Sequence, residues 1–482
     1  MNQVIKKIGA ALLVAIFLAV NVLPSVGAFA ADAEKGTITI NDAVSEKSYD
    51  IYKIFDLTYK GDNVSYTIAK DWDGFFNDKG KAYIVDQNSG SLNPIIVNGQ
   101  VKYINITTDN VAEFANTAFA YAAKNIQVTK TVTAAKDQTT ATAEGLDLGY
   151  YLVNAKGATD LKKDQKSIVS LTSTKPNGKV NVKATYPTIE KKADKETADF
   201  GDPITYTLTG QVPDTTGYSQ YTYKITDTLG NGLTFLDADQ VVVKVDGTPL
   251  TEYVTKKIEG QTLTVDFDML ELQDKVGKTV EVTYKAKLNE NAVIGKGGND
   301  NKVSLEYSND PKDSKKTEKT PDKKVPVYTA ILTINKYDGK DKTGETKLAD
   351  AKFVLKNKEG KFYKYNDATK AVSWVTDKEK PTVVNTTPQG KAQFKGLASG
   401  DYQLIETEAP KGYNLLTKPV DVKVDAKNWE NEAFCKADVA NNSGSELPFV
   451  GGMGTIAFII IGGGIGLLAA GLYRRNRQVE GN

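Results

Sequence analysis

Histidine is absent from this sequence, and cysteine occurs once. Without histidine the chain cannot build Ser/His or Cys/His catalytic pairs, histidine-containing zinc sites or imidazole pH switches. One cysteine excludes an intrachain disulfide and any all-cysteine metal site. Neither sign of charge is in excess: 61 basic and 60 acidic side chains leave a net charge of +1. Nucleic-acid binders normally carry a basic surplus, so no nucleic acid is expected as a partner. Lys, Asp, Glu, Asn and Tyr are left to carry any chemistry. A length of 482 residues suggests about three domains.

Two long apolar runs lie at the ends. Near the N-terminus, Lys6 and Lys7 precede an apolar stretch over 8–22, followed by Pro24 and Ala28-Phe29-Ala30. A positive region, an apolar region and an A-x-A site in this order predict a secretory signal peptide over 1–31, cleaved after Ala30 or Ala31. The second run, 453–473, is long enough to span a membrane. Arg474, Arg475 and Arg477 follow it and predict a cytoplasmic tail. The residues between the two runs are then exported.

Between the ends, one stretch, 111–123, has helical periodicity. Elsewhere short alternating runs such as Gly36-Thr-Ile-Thr-Ile40, Ile204-Thr-Tyr-Thr-Leu208, Leu263-Thr-Val-Asp-Phe267 and Val420-Asp-Val422-Lys-Val424 are broken by Gly, Asn, Asp and Pro. Alternation at period two with frequent turn signals predicts β-sandwiches. The polar run over 308–324 (SNDPKDSKKTEKTPDKK) reads as a solvated connector. With a second boundary near Tyr186-Pro187, the modules are 32–186, 187–326 and 327–446.

The most specific motif is Tyr402-Gln-Leu404-Ile-Glu406-Thr407-Glu-Ala409-Pro410-Lys-Gly412-Tyr413. It reads as a strand ending in a turn, with Tyr402, Leu404 and Glu406 on one face. A carboxylate on an apolar face is costly unless it is neutral or paired. The string resembles the E-box of the B-type repeats of collagen-binding adhesins and of Gram-positive pilins. In that family a buried Glu catalyses an isopeptide bond between a Lys on the first strand and an Asn on the last. The resemblance implies Glu406 as catalyst and Lys336, in Leu332-Thr-Ile334-Asn-Lys336, as the amine. Asn442 is favoured as the amide, with Asn441 as the alternative. Burial is expected to favour a neutral Lys and a protonated Glu, which would polarise the Asn carbonyl and relay protons until ammonia leaves. No metal or cofactor is required.

The second module resembles the A-type adhesin and middle pilin domains, in which Asp replaces Glu. The matching strings are Pro187-Thr-Ile189-Glu-Lys191, Tyr223-Lys-Ile225-Thr-Asp227-Thr-Leu229 and Asn301-Lys-Val303-Ser-Leu305. They imply a Lys191–Asn301 bond with Asp227 as catalyst, with Lys192 and Asp202 as substitutes. In the first module Tyr52-Lys53-Ile54-Phe55-Asp56 and Gly149-Tyr150-Tyr151-Leu152-Val153 resemble the first pilin domain. Its E-box-like string lacks the Glu, so no bond is expected there. Cys435 reads as a buried small apolar residue.

Upstream of the C-terminal run stands Leu447-Pro448-Phe449-Val450-Gly451, similar to the Leu-Pro-x-Thr-Gly sorting signal of Gram-positive surface proteins, with Val450 in the Thr position. Over 447–482 the order of motif, span and arginines matches that signal. A major pilin also needs a linkage lysine; Lys183 is the nearest candidate, with Lys179 behind it. The resemblance as a whole implies a mainly β chain of three tandem immunoglobulin-like sandwiches. It implies the shaft subunit of a sortase-assembled, cell-wall-anchored pilus that supports adhesion and is not an enzyme beyond its self-linking. The implied partners are a class C pilus sortase, a housekeeping sortase, identical and minor pilins, peptidoglycan, and a host surface or matrix ligand. The alternative is a cell-wall-anchored adhesin that does not polymerise.

Overall fold

The computed structural model describes residues 35–60, 63–88, 90, 92–159, 167–182, 184–236, 240–428 and 435–445. The signal peptide, the sorting motif 447–451, the apolar run 453–473 and Lys183 lie outside these residues. Among the described residues, no helix is long and apolar enough to cross a membrane.

Strands dominate, arranged in three successive sets of sheets. In the first set, Lys35–Asn41 lies between Asn177–Asn181, its parallel neighbour, and Thr140–Asp147. A second sheet has Ser48–Lys60 and Gly149–Ala155 at its centre. This central pair is covered on both faces. Tyr49, Ile51, Tyr151 and Val153 face the first sheet, whereas Ile54, Phe55 and Leu152 pack under helix Val111–Asn125 with Trp72, Phe75 and Phe76. Burial on both faces explains why Gly149–Ala155 reads as a nearly unbroken apolar run. The helix carries Phe114, Ala115, Ala118, Phe119 and Ala122 on its buried face, and extends two residues past the predicted end.

The second set alternates cleanly, as expected when one face meets the core and the other meets water. In Pro203–Gln211, residues Ile204, Tyr206 and Leu208 are buried; in Thr279–Leu288, Val280, Val282, Tyr284, Ala286 and Leu288. These two strands pair and carry Glu190–Ala193 at the edge of their sheet. The facing sheet has Tyr223–Leu229 between Thr262–Phe267 and Asn299–Ser308.

The polar run read as a connector is a correction. Residues Thr317–Lys319 and Lys323–Val327 are strands that pair with Asn299–Ser308. Backbone pairing with an existing edge needs no apolar side chains, so composition alone hid these strands.

In the third set, Ala330–Asp338 lies between Lys391–Leu397 and Lys436–Asn441, the latter parallel to it. A larger sheet containing Lys352–Asn357 and Gly400–Glu408 packs against it. The second and third sets share one continuous core, from Ile189 to Val439. At their junction Asp199 is buried and accepts hydrogen bonds from Trp374 Nε1 at 2.7 Å and from the Ala398 amide at 2.6 Å. The contacts from the first set to the second include ion pairs, Lys47 with Glu318 and Lys156 with Asp310.

Candidate functional site

Two buried Lys–acid–Asn clusters stand out because burying charge is unfavourable without close compensation. Each follows from strand alternation. Tyr402, Leu404 and Glu406 share the buried face of Gly400–Glu408, and Leu332, Ile334 and Lys336 share that of Ala330–Asp338. The side chains of Lys336 and Glu406 are fully buried.

In this C-terminal cluster Lys336 Nζ lies 3.5 Å from Glu406 Oε1 and donates to the Val439 carbonyl at 3.2 Å. Glu406 Oε2 accepts from the Leu416 amide and from Asn441 Nδ2, both at 2.9 Å. Asn441 Nδ2 also donates to the Asn414 carbonyl at 2.5 Å. The acid therefore sits between the amine and the amide nitrogen. Asn441 Oδ1 is buried without a partner. Burial pushes the Lys336 ammonium down to about 8.

The amide at this site is Asn441, and the preference for Asn442 is corrected. Asn442 is exposed, and its carbonyl accepts from the Asn414 amide. The reason is strand phase. Ala437, Val439 and Asn441 alternate onto the buried face, so the next residue must point away. That alternation was available in the sequence.

The middle cluster is closed more tightly. Lys191 is buried on Glu190–Ala193, Asp227 continues the buried row Tyr223, Ile225 and Leu229, and Asn301 begins the row Val303, Leu305 and Tyr307. Lys191 Nζ contacts Asp227 Oδ2. The Tyr284 hydroxyl donates to Asp227 Oδ1 at 2.6 Å and accepts from Lys191 Nζ at 2.9 Å and from Asn301 Nδ2 at 2.7 Å. Burial pushes the Lys191 ammonium down to about 8 and the Asp227 carboxyl above its ordinary range. Asn301 Oδ1 has no partner. Of the named substitutes, Lys192 is exposed on the opposite face and Asp202 lies outside this network. Tyr284 was missed by sequence reading; its only signal is its place in a buried alternating row.

In both clusters the hydrogen-bonded amide atom is nitrogen, the leaving group in any aminolysis, rather than the carbonyl oxygen expected to meet the acid. Such an arrangement can take a proton from an attacking amine and return one to departing ammonia. Cys435 is buried, with Sγ 3.5 Å from the Asp425 carbonyl; burial pushes its thiol up to about 11. Lys179 is exposed on the edge strand Asn177–Asn181.

Comparison with known proteins gives these sites a context. Residues 330–436 match the family described as a prealbumin-like fold domain, and residues 184–320 match the Sgo0707 N2 domain. The chain is 27% identical over 281 residues to the trypsin-resistant surface T6 protein of Streptococcus pyogenes serotype M6, covering 51% of this chain and 47% of that protein. The chain thus spans about half the length of that relative. It is 27% identical over 425 residues to the fimbrial subunit type 1 of Actinomyces viscosus, covering 73% and 76%. The fold is similar to that of the fimbrial protein FimP of Actinomyces oris, with a TM-score of 0.52, 19% identity, and coverage of 87% and 100%. By sequence the chain is similar to a surface protein and a fimbrial subunit of Gram-positive bacteria, its fold is similar to that of a fimbrial protein, and its residues 330–436 match the prealbumin-like fold domain.

Proposed function

We propose that this chain is the structural shaft subunit of a covalently polymerised pilus anchored to a Gram-positive cell wall. It carries two intramolecular isopeptide bonds, Lys191–Asn301 and Lys336–Asn441, formed once by its own residues. The observation that carries this reading is the pair of buried Lys–acid–Asn clusters, which have no stabilising logic as permanent ion pairs. Exported and processed by sortases at 447–451, the chain would join identical subunits through a lysine of its first module. Adhesion is the role of the assembled fibre.

In each cluster the neutral lysine attacks the asparagine Cγ, the Nζ–Cγ bond forms, the Cγ–Nδ2 bond breaks and ammonia leaves. The acid accepts a proton from the attacking nitrogen and supplies one to the departing nitrogen, ending as it began. Boiling the cell-wall fraction in detergent and probing for the chain tests polymerisation. A ladder of high-mass species is expected; a single band at monomer mass would contradict it and favour a non-polymerised anchored adhesin.

A further inference from the structure

The two clusters differ in one respect that their chemistry makes consequential. Glu406 reaches the amide nitrogen of Asn441 directly, at 2.9 Å. Asp227 is one methylene shorter, and its two oxygens are taken by Lys191 and by Tyr284. Asn301 meets neither oxygen: its Nδ2 donates to the Tyr284 hydroxyl and its Oδ1 is unpaired. Among the described residues, the Tyr284 hydroxyl is thus the one group that touches the acid, the amine and the amide together. Its ring is held in place, stacked on Tyr206 at a centroid separation of 5.5 Å and packed against Phe235 at 5.4 Å.

We propose that Tyr284 is a catalytic residue of the middle domain, its hydroxyl carrying the proton from Asp227 to the departing nitrogen of Asn301. The inference rests on the Lys191–Asn301 bond proposed above. From the neutral pair, Lys191 Nζ attacks Asn301 Cγ and gives one proton to Asp227 Oδ2. The amide nitrogen becomes pyramidal and gains a lone pair. The proton on Asp227 Oδ1 passes to the phenol oxygen while the phenol hydrogen passes to Nδ2. The Cγ–Nδ2 bond then breaks and ammonia departs; Asp227 ends protonated and Tyr284 unchanged. Asp and Tyr together span the distance that one Glu spans in the C-terminal domain.

The test is a time course of ammonia loss in the full chain made by cell-free synthesis, read by peptide mass for the two cross-links separately. Tyr284→Phe keeps the ring contacts and removes the relay. It should slow formation of the Lys191–Asn301 link by about a hundredfold, while the Lys336–Asn441 link in the same molecules closes at the unaltered rate and reports a folded chain. Combining Tyr284→Phe with Asp227→Glu should restore the middle link, because the longer acid then reaches Nδ2 itself. A Tyr284→Phe chain that links at the unaltered rate would overturn the proposal. So would a slowed variant that Asp227→Glu does not rescue, since a packing defect is not repaired by a longer acid. If the unaltered chain itself lacks the Lys191–Asn301 cross-link, the parent reading fails along with the relay; a link that forms but ignores Tyr284 refutes the relay alone.

Discussion

At the scale of residues, the two clusters solve the same problem: an ammonium cannot attack a carbonyl, and a carboxylate cannot give up a proton it lacks. Burial lowers the Lys191 and Lys336 ammonium groups and raises the Asp227 carboxyl. The neutral amine beside a protonated acid holds the same single proton as the ion pair, so both forms belong to one titration state. Linking should therefore run at a level rate while the pair keeps that proton. Above about 8, where Lys191 and Lys336 lose theirs, the amines stay neutral but the acid has nothing to return, and the rate should fall about tenfold per further pH unit. At the acid end a second proton fixes the amine as ammonium. Because burial raises Asp227, that limb lies above the ordinary carboxylate range in the middle domain. Ammonia loss from chains synthesised in buffers of graded pH measures the profile; a rate that keeps rising above 8 would contradict it. Substitution separates the two adjacent asparagines: Asn441→Ala should restore one ammonia to the mass, and Asn442→Ala none. Glu406→Ala should likewise restore one ammonia, and also leaves the Leu416 amide without its partner, at a cost of about 1–3 kcal/mol.

At the scale of elements, period-two alternation carried most of what was legible. It placed Glu406 with Tyr402 and Leu404 and Lys336 with Leu332 and Ile334, while helical periodicity placed the helix beginning at Val111. The same alternation rule applied to Ala437, Val439 and Asn441 would have chosen the asparagine that meets Glu406. The strands Thr317–Lys319 and Lys323–Val327 were not legible, because they add by backbone pairing and leave most of their lysines and acids in water. Tyr284 was hidden for a different reason. A tyrosine in a buried row looks like core packing, and only its three partners in space reveal the hydroxyl's place. The latch between the last two sets of sheets was equally invisible, since Asp199 meets Trp374 and Ala398 across a long sequence separation. Asp199→Ala would leave two donors unpaired, each worth about 1–3 kcal/mol. A lower denaturation midpoint and a changed Trp374 environment, read by fluorescence, are expected; an unchanged midpoint would show the latch to be idle.

At the scale of the whole molecule, the proposed bonds would decide how load passes along the chain. Each would close a loop of roughly 100 residues, which in the chain-entropy account of cross-links removes roughly 4–5 kcal/mol of unfolded-state freedom. In the C-terminal domain Lys336 and Asn441 lie on adjacent parallel strands that open and close the domain, so tension would cross the proposed bond directly. The middle domain differs. Its proposed bond would end at Asn301, and the strands over 302–327 lie beyond that residue, with Lys323–Val327 paired antiparallel to Asn299–Val303. Pulled between its ends, the middle domain should release only that segment, roughly 25 residues or about 80–90 Å. Asp227→Ala should lengthen the release to the whole domain. Single-molecule stretching distinguishes these lengths. All of this depends on the two bonds, and the intact mass of the full chain tests them most directly. The account predicts a mass below that of the sequence by two ammonia molecules, one restored by Asp227→Ala and the other by Glu406→Ala. A chain with the full sequence mass would contradict it.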